Sequence, residues 1–386
     1  MKVYHFHNGA GGGVLSVIKN LLLYKQQDDI ENHVIYTINK DLVEKFEILH
    51  LDGAASEQVF YYSPKWNFYY TCKQLAVLLP DEKTLIIAHD WMELGMASNL
   101  GLQNPVIQIL HGDFDYYYEL AKINSPVIDA FVCISSKMSG SLKNKLPNRE
   151  DDIIYLNFPV QSVESKNREN DKLHLIYFVR DLKEERKQFS TIVEVARQLS
   201  DTPNDYYFTI AGGGMMAKEF FDLWPEGMKE SVNFLGVQKN EEIITLLTGQ
   251  DIFLLPSLAE GLPVSLVEAM KAGVVPLISN WDGAVDDLVS AGNTGYYCNK
   301  GDSVAYARRI KELNGDRSFL NKLSFNCMQR ANIIFDPVEN TKKFEILYGT
   351  VAAKRTRKKI PSKVYGSRLD HPLIPNFISS SIRKFK

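Results

Sequence analysis

The sequence predicts an α/β protein built from two doubly wound, Rossmann-like domains, and three observations lead to this prediction. Short apolar runs alternate with longer segments of helical period, which is typical of βαβ units around parallel sheets. The apolar runs fall into two sets, and the stretch 161–172 between them is rich in Ser, Asn, Glu and Lys, as expected of a linker. The 386 residues leave room for two or three domains at roughly 150 residues each.

Each set of apolar runs is expected to supply the strands of one sheet. A helical stretch at 14–24 follows the first run, and its apolar residues fall on one face. The linker places a boundary near residue 165, which gives domains 1–164 and 165–350 and a tail, 351–386. Open α/β sheets bind ligands at the carboxyl ends of their strands, so both sheets should face a central cleft. The predicted strands are 3–7, 33–38, 84–88, 106–110 and 130–134, then 173–179, 207–211, 232–234, 252–255 and 275–278.

Composition excludes several protein classes. Hydrophobic residues make up 45% and charged residues 24%, which are ordinary values for a globular protein and exclude wholesale disorder or a collagen-like fibre. The net charge of -3 conceals two parts of opposite sign. Residues 351–386 carry ten Lys and Arg against the single acid Asp370, or +9, and the first 350 residues carry 34 basic and 46 acidic side chains, or -12. The chain is therefore an acidic body with a basic tail.

Cysteine usage and hydropathy favour the cytoplasm. The four cysteines form no C-x-x-C pair, so neither a disulfide framework nor a zinc site is expected. The first residues lack the apolar run of a signal peptide, and no stretch reaches the eighteen apolar residues of a membrane span. We expect a cytoplasmic protein, either soluble or peripheral on the inner face of the cell membrane.

A glycine-rich loop at 8–13 joins the first predicted strand to the first helix. Glycines let the backbone approach a ligand closely, and the amides of the following helix N-terminus bind anions. A nicotinamide-cofactor fingerprint would need a third glycine where Val14 stands, and the second strand lacks the acid that holds a ribose. The alternative is a tight turn without a ligand.

The most specific segment is 257–276. Pro263 suits the first position of a helix and Gly273 suits the residue after its end, which predicts a helix over 264–272. Glu260 then lies in the loop before the helix and Glu268 more than one turn inside it. Carboxylates accept hydrogen bonds from hydroxyl groups and helix N-termini bind phosphates, so the segment fits a sugar nucleotide.

This segment resembles the E-x7-E signature of glycosyltransferase family 4, the group 1 glycosyltransferases, which have the GT-B fold. The glycine-rich first loop, the turn at 211–214, the strand end at 234–236, and the stretches 251–257 and 293–295 follow the family in order, so the resemblance covers residues 1 to about 345. It implies an N-terminal acceptor domain and a C-terminal nucleotide-sugar donor domain.

Carried over residue by residue, the resemblance implies that Glu268 binds the nucleotide ribose and Glu260 lies beside the donor sugar. Arg180 and Lys187 resemble the basic pair on the diphosphate. The chain departs from the family here, since Val179 and Gln188 replace two glycines and the spacing is about two residues longer; Arg186 or Lys183 can serve instead of Lys187. The implied donor-binding residues are Gly11, Gly12, Gly13, Gly213, Gly236, Gly261, Leu262, Pro263 and Glu268.

Candidate residues of the first domain follow two neighbouring predicted strands. His111, after 106–110, resembles the family histidine that contacts the donor sugar, although a purely structural histidine is the alternative. His89 and Asp90, after 84–88, are candidates for the acceptor side. Tyr117 offers a face for a sugar ring, or packs within its helix.

The basic tail has three interpretations. Residues 354–359 form a basic cluster, and 376–386 form an amphipathic helix with basic residues near its end. Such segments bind anionic lipids with about 1 kcal/mol per basic residue. Nucleic acid is not favoured, because the body is acidic and the chain has no reader motif. A solvated tail is the third interpretation.

The resemblance implies a retaining hexosyltransferase that moves a sugar from a nucleotide sugar to a hydroxyl of a glycan or lipid-linked acceptor. UDP-sugars are favoured by family frequency, cell-surface polysaccharide biosynthesis is the expected process, and neither metal nor other cofactor is expected. Two alternatives stay open: a nucleotide-sugar epimerase on the same fold, and a non-catalytic sugar-nucleotide-binding subunit.

Overall fold

The computed structural model describes residues 1–9, 12–45, 50–163, 171–281, 285–354, 358–362 and 366–384. The chain divides into two compact units: unit 1 comprises Met1–Pro159 and Pro337–Lys386, and unit 2 comprises Val160–Asp336. The first division lies five residues before the predicted end of the first domain, at 164. Most of the predicted linker, 164–170, lies outside the described residues.

Unit 1 contains a parallel sheet, which within the described ranges has seven strands in the order β3-β2-β1-β4-β5-β6-β7. All five predicted strands are present, and the pattern missed the two edge strands. The strands are β1 (Lys2–His7), β2 (Glu31–Asn39), β3 (Ser56–Tyr62), β4 (Leu85–Ala88), β5 (Val106–Leu110), β6 (Ala130–Cys133) and β7 (Ile153–Tyr155). The helices are α1 (Gly13–Leu23), α2 (Phe68–Ala76), α3 (Trp91–Leu100), α4 (Asp115–Asn124) and α5 (Ser136–Lys145), with 3-10 turns at Lys40–Lys45 and Pro147–Asp152.

Unit 2 repeats this architecture with a parallel sheet in the order β10-β9-β8-β11-β12-β13. Its strands are β8 (Leu173–Asp181), β9 (Tyr206–Gly213), β10 (Val232–Gly236), β11 (Ile252–Leu255), β12 (Val275–Ser279) and β13 (Tyr296–Cys298). Its helices are α6 (Phe189–Gln198), α7 (Ala217–Leu223), α8 (Asn240–Leu247), α9 (Val264–Lys271), α10 (Ser303–Gly315) and α11 (Arg317–Ile334), with 3-10 turns at Glu185–Lys187, Pro203–Asp205 and Glu226–Ser231.

The strand order explains where the candidate residues collect. In each sheet the order reverses at one point, between β1 and β4 in unit 1 and between β8 and β11 in unit 2. Central strands such as β4 and β11 are fully buried because helices cover both faces of a parallel sheet. The loops after the strands that flank the reversal point are the usual ligand sites of open α/β sheets. Most of the predicted site residues lie in or beside those loops.

The end of the chain belongs to unit 1, so it does not form the separate tail predicted for 351–386. Helix α12 (Pro337–Ala353) is followed by a 3-10 turn (Arg368–Asp370) and by α13 (Asn376–Lys384). Three basic residues pair with acids of the unit: Lys354 with Asp152 at 3.0 Å, Lys359 with Asp129 at 2.6 Å, and Arg383 with Asp370 at 2.5 Å. The first two pairs hold the segment against the rest of unit 1, whereas the third joins two residues of the segment itself. Among the described residues, no helix combines the length and the apolar character needed to cross a membrane.

Candidate functional site

In unit 2, Glu260 lies at the centre of a cluster of charges. It is buried in the loop between β11 and α9. Its Oε1 accepts a hydrogen bond from Lys187 Nζ at 2.6 Å, and its Oε2 accepts one from Arg186 Nη1 at 2.8 Å. Charge-assisted hydrogen bonds of this length are among the stronger ones in proteins. The structure thus brings the predicted Glu260 and Lys187 together with Arg186, one of the two alternatives to Lys187.

The segment that carries these two cations is tied to the Glu260 loop by its backbone. The Leu258 N–H donates to the Arg186 carbonyl at 2.8 Å, and Arg186 Nη1 also donates to the Ala259 carbonyl at 2.8 Å. Arg186 further pairs with Glu184 at 2.7 Å. The 3-10 turn Glu185–Lys187 therefore closes on the Glu260 loop.

Two other basic candidates are exposed on the surface of unit 2. Lys183 pairs with Glu219 at 3.2 Å, and both side chains are exposed. Arg180 is exposed near the end of β8. Of the three residues proposed for the second cation, Arg186 and Lys187 pair with Glu260, whereas Lys183 pairs with Glu219.

Helix α9 has the predicted form, with small differences at its ends. It begins at Val264 and ends at Lys271, and Pro263 is its N-cap rather than its first residue. Gly273 has a φ of +73°, as a residue after a helix end often does. Glu268 lies inside the helix, buried, and accepts a hydrogen bond from Asn240 Nδ2 at 3.4 Å. Gly261 and Leu262 lead from Glu260 into the helix.

The predicted glycines of unit 2 have different structural roles. A Cβ on Gly213, at the end of β9, would lie 3.1 Å from the Arg180 carbonyl, so this glycine permits close packing of β9 against β8. Gly236, at the end of β10, has a φ of +65° and open space where a Cβ would stand. Gly213 has a packing explanation, whereas Gly236 is needed for its backbone conformation.

In unit 1 the predicted residues of three segments line one cavity of about 170 Å³. The first two follow β1 and β4, and the third is the first turn of α4. The predicted residues that line the cavity are Gly12, Gly13, His89, Asp90 and Tyr117. Gly12 has a φ of +128° and is the N-cap of α1, and the predicted Gly11 lies outside the described residues. The structure therefore brings the first glycine loop to the acceptor candidates.

Asp90 is held firmly at the start of α3. Its Oδ1 accepts a hydrogen bond from the Trp91 N–H at 2.8 Å and another from the Tyr116 hydroxyl. Glu93 accepts from the N–H groups of both His89 and Asp90 at 2.6 Å. Burial raises the pKa of Glu93 to about 8, and the neighbouring Asp90 adds to that shift. The sequence predictions did not include Glu93; its position three residues after Asp90, as in a capping box, was the available signal.

His111 is hydrogen-bonded to His89, with 2.8 Å between His111 Nε2 and His89 Nδ1. Burial and the nearby His7 lower the pKa of His111 to about 3. Behind them, His5 Nδ1 lies 3.3 Å from His89 Nε2. His7 also lines the cavity and accepts a hydrogen bond from the Gly9 N–H at 3.1 Å. The sequence predictions missed His5 and His7 because they lie within a strand, where alternation indicates only a shared face.

Most of the second unit is similar to a known family of proteins. Residues 160–330 match the family model described as glycosyl transferases group 1. These residues include the Glu260 cluster and all of α9. The match confirms the resemblance predicted from the sequence.

Individual relatives agree with this match. The chain is 31% identical over 137 residues to the putative colanic acid biosynthesis glycosyltransferase WcaL of Salmonella typhimurium, which is 34% of each protein. It is 24% identical over 254 residues, 61% of this chain and 66% of the relative, to a Campylobacter jejuni α-1,4-N-acetyl-D-galactosaminyltransferase that acts on an undecaprenol-linked glycan. The matched part thus spans about a third of the length of the Salmonella relative.

Solved structures show the fold. The Anabaena protein HepE, in complex with UDP-glucose, superposes with a TM-score of 0.72 at 17% identity, over 91% of this chain and all of that one. The pneumococcal O-GlcNAc transferase GtfA, in complex with UDP and GlcNAc, gives 0.71 at 12% identity over 92% and 99%. These likenesses confirm the predicted GT-B fold class.

Proposed function

We propose that this protein, whose residues 160–330 match the model of the group 1 glycosyl transferases, transfers a sugar from a nucleotide sugar to a hydroxyl group of a glycan or lipid-linked acceptor. The observation that carries the proposal is the cluster of Lys187, Arg186 and Glu260 beside the N-terminus of α9. UDP-sugars are the favoured donors, since HepE and GtfA were both solved with UDP compounds.

The cluster has the chemistry that a diphosphate leaving group requires. The departing diphosphate gains negative charge as the glycosidic bond breaks, and fixed cations or helix N-termini stabilise that charge. The ammonium group of Lys187 has three hydrogens to donate, and Glu260 accepts one of them. Arg186 already binds Glu184, Glu260 and the Ala259 carbonyl, so it is better suited to hold the loop. We assign the diphosphate contact to Lys187, with Arg180 as its partner.

For the chemical step we propose retention at the anomeric carbon without a metal ion, as the family resemblance implies. The bond between the anomeric carbon and the diphosphate oxygen breaks, and the acceptor hydroxyl forms the new bond on the same face. The departing phosphate oxygen takes the hydroxyl proton, so no separate base is needed. Glu260 and His111 orient the donor sugar, and Glu268 binds the ribose.

We assign the acceptor to unit 1. The cavity beside Asp90 and Tyr117 is smaller than the pockets that bury drug-sized ligands, and it therefore suits a small group such as one sugar ring. Burial, together with Asp90, raises the pKa of Tyr117, so its hydroxyl stays protonated and can donate a hydrogen bond. Two relatives act on undecaprenol-linked substrates, which supports a lipid-linked acceptor in polysaccharide biosynthesis.

We further propose that α13 contacts an anionic membrane, where such an acceptor would be found. Phe377 is 70% exposed, Ile378 and Ile382 are exposed on the same short helix, and Lys384 lies at its end. Deleting 351–386 would leave the buried Asp129 without Lys359 and would remove Asp370, which binds the Phe68 N–H, so point substitutions are the better test. Phe377→Ser with Ile382→Ser should reduce binding to vesicles that contain anionic lipid. Phe325→Ser, at an exposed position of α11, is the control and should bind like the wild type.

Turnover tests the assignment directly. UDP- and GDP-sugars are incubated with lipid-linked and free glycan acceptors, and mass spectrometry detects the product and any isomerised donor. We expect Glu260→Gln and Lys187→Ala to lower kcat/KM by about 100-fold or more. Lys183→Ala is the matched control, because Lys183 pairs with Glu219, and it should keep wild-type activity. Wild-type rates in both site variants, or donor isomerisation without acceptor, would exclude this function.

A further inference from the structure

Three histidines of unit 1 form a row of stacked, hydrogen-bonded rings. His5 lies in β1, His89 follows β4 and His111 follows β5, and these three strands are neighbours in the sheet. The ring centroids of His5 and His89 lie 5.6 Å apart, and those of His89 and His111 lie 5.1 Å apart, each pair tilted by 25°. The nitrogen contacts are 3.3 Å and 2.8 Å. Only the last ring, His111, is partly exposed.

A row of neutral imidazoles can carry its protons in only two directions. Each neutral ring has one N–H and one lone pair, so every N···N contact needs a donor on one side and an acceptor on the other. If the protons point inward, His111 donates from Nε2 to His89, and His89 donates from Nε2 to His5. His111 Nδ1 then keeps its lone pair. If they point outward, His111 Nδ1 carries a hydrogen instead.

The inner end of the row decides between the two directions. His5 Nε2 and Asn32 Oδ1 are buried, and within the described residues neither meets a partner at full hydrogen-bond geometry. Burial lowers the pKa of His5 to about 4, but the Asn32 side chain acts against that shift, as an amide oxygen facing a ring N–H does. Leaving two buried polar atoms unpaired is costly. A hydrogen on His5 Nε2 that is directed at Asn32 Oδ1 gives both buried atoms a partner. This arrangement requires the inward direction.

We propose that His89 is a positioning residue that accepts a hydrogen bond from His111 Nε2 and thereby holds His111 with Nδ1 as an acceptor for a substrate hydroxyl group. The row ends at an amide and not at a carboxylate, so it offers no counter-ion for an imidazolium. Burial also lowers the pKa of His89 well below its usual value. His111 therefore orients a hydroxyl group by accepting its hydrogen, and it does not act as a general base. The inference that His111 binds a substrate hydroxyl group rests on the proposed function, whereas the inference about the His111 tautomer does not.

Histidine tautomers can be measured without any substrate. Two-bond proton–nitrogen correlation spectra of nitrogen-15 histidine-labelled protein distinguish an Nε2–H ring from an Nδ1–H ring, and the His111→Asn variant assigns the His111 signals. We expect the Nε2–H pattern for His111 in the wild type. His89→Leu removes the acceptor, so His111 should become a mixture of tautomers. His89→Asn retains a side-chain amide oxygen near the position of Nδ1 and should preserve the wild-type pattern.

Enzyme kinetics provide a second test of the role of His89. His89→Leu should lower kcat/KM by about tenfold or more, as loss of a supporting hydrogen bond commonly does, and His89→Asn should recover most of that loss. His50→Asn, at an exposed position, is the control. An Nδ1–H pattern for His111 in the wild type, or an unchanged pattern in His89→Leu, overturns the inference. If no donor is turned over, the proposed function fails and the spectra still decide the tautomer.

Discussion

Gln188 shows most clearly how a departure from the family pattern is accommodated. Its backbone lies in the left-handed region, with φ 55° and ψ 47°, directly after Lys187 and before α6. This is the position where the resemblance leads us to expect glycine, and a glutamine there loses about 1 kcal/mol relative to a right-handed conformation. The left-handed residue lets the chain turn from the 3-10 segment into α6, which sets the direction of Lys187.

We therefore predict that Gln188→Gly raises the free energy of unfolding by about 0.5–1 kcal/mol, because glycine adopts this conformation without a steric penalty. Urea denaturation of the two proteins measures the difference. Gln198→Gly, which places glycine at a right-handed residue of α6, is the control and should destabilise the protein. A lower free energy of unfolding for Gln188→Gly would contradict the inference that the backbone of Gln188 is strained.

Lys271 predicts a dependence of stability on pH. Its ammonium group is fully buried in unit 2 and donates to the Val160 carbonyl at 2.6 Å. Burial lowers its pKa from 10.5 to about 8, partly opposed by Asp336. The unfolded chain therefore binds more protons than the folded chain between these values, and this group's contribution to stability rises with pH across that window.

The matching experiment compares the wild type with Lys271→Met by denaturation at about pH 7 and about pH 10. The stability of the wild type relative to the variant should increase at the higher pH. Lys218→Met, at an exposed residue of α7, should show no such change. A constant difference between the wild type and Lys271→Met at both pH values would show that Lys271 titrates normally.

At the scale of elements, the C-terminal segment is docked on α2 through Asp370. This buried carboxylate accepts hydrogen bonds from the Phe68 N–H at 2.6 Å and from Arg383 at 2.5 Å. Burial raises its pKa, but the bonds from Arg383, Phe68 and Ser367 outweigh burial and lower it below 3.8. The stabilisation is therefore present above about 3.8 and is lost as the pH falls through the lowered pKa.

We predict that Asp370→Asn releases α13 from unit 1. Removing one partner of a buried ion pair costs about 3–5 kcal/mol. Hydrogen exchange of the amides of α13 should become faster in the variant, and acidification of the wild type should have the same effect. Asp201→Asn, at an exposed position, serves as the control. Unchanged exchange in α13 would mean that other contacts hold it.

Edge strands mark the limit of what the sequence could predict about elements. Central strands are buried on both faces and read as short apolar runs, and all ten predicted runs are strands. The missed β3, β7 and β13 are three to seven residues long and partly exposed, and β3 and β7 lie at the two edges of their sheet. The hydropathy pattern of such short, partly exposed strands does not differ from that of loops. The basic tail was misjudged for another reason: two of its ion pairs, Lys354 with Asp152 and Lys359 with Asp129, join residues more than 200 positions apart, which no local pattern reveals.

At the scale of the molecule, the order of motifs along the chain was enough to predict the fold class. Both sheets reverse their strand order beside the predicted residues, so the motifs and the topology agree. The sequence could not choose among Lys183, Arg186 and Lys187, because the choice depends on where a 3-10 turn directs each side chain. It also could not find the row of histidines, since that row requires the register of three strands.

The central claim is that the Lys187 and Glu260 cluster recognises the diphosphate of a nucleotide sugar. The most direct measurement is calorimetric binding of UDP and GDP, compared with UMP and GMP, to the wild type, Lys187→Ala and Lys183→Ala. We predict that the preferred nucleoside diphosphate binds more tightly than its monophosphate, and that Lys187→Ala weakens diphosphate binding by about 10- to 100-fold while Lys183→Ala does not. Equal affinity for diphosphate and monophosphate, or unchanged binding in Lys187→Ala, would contradict it.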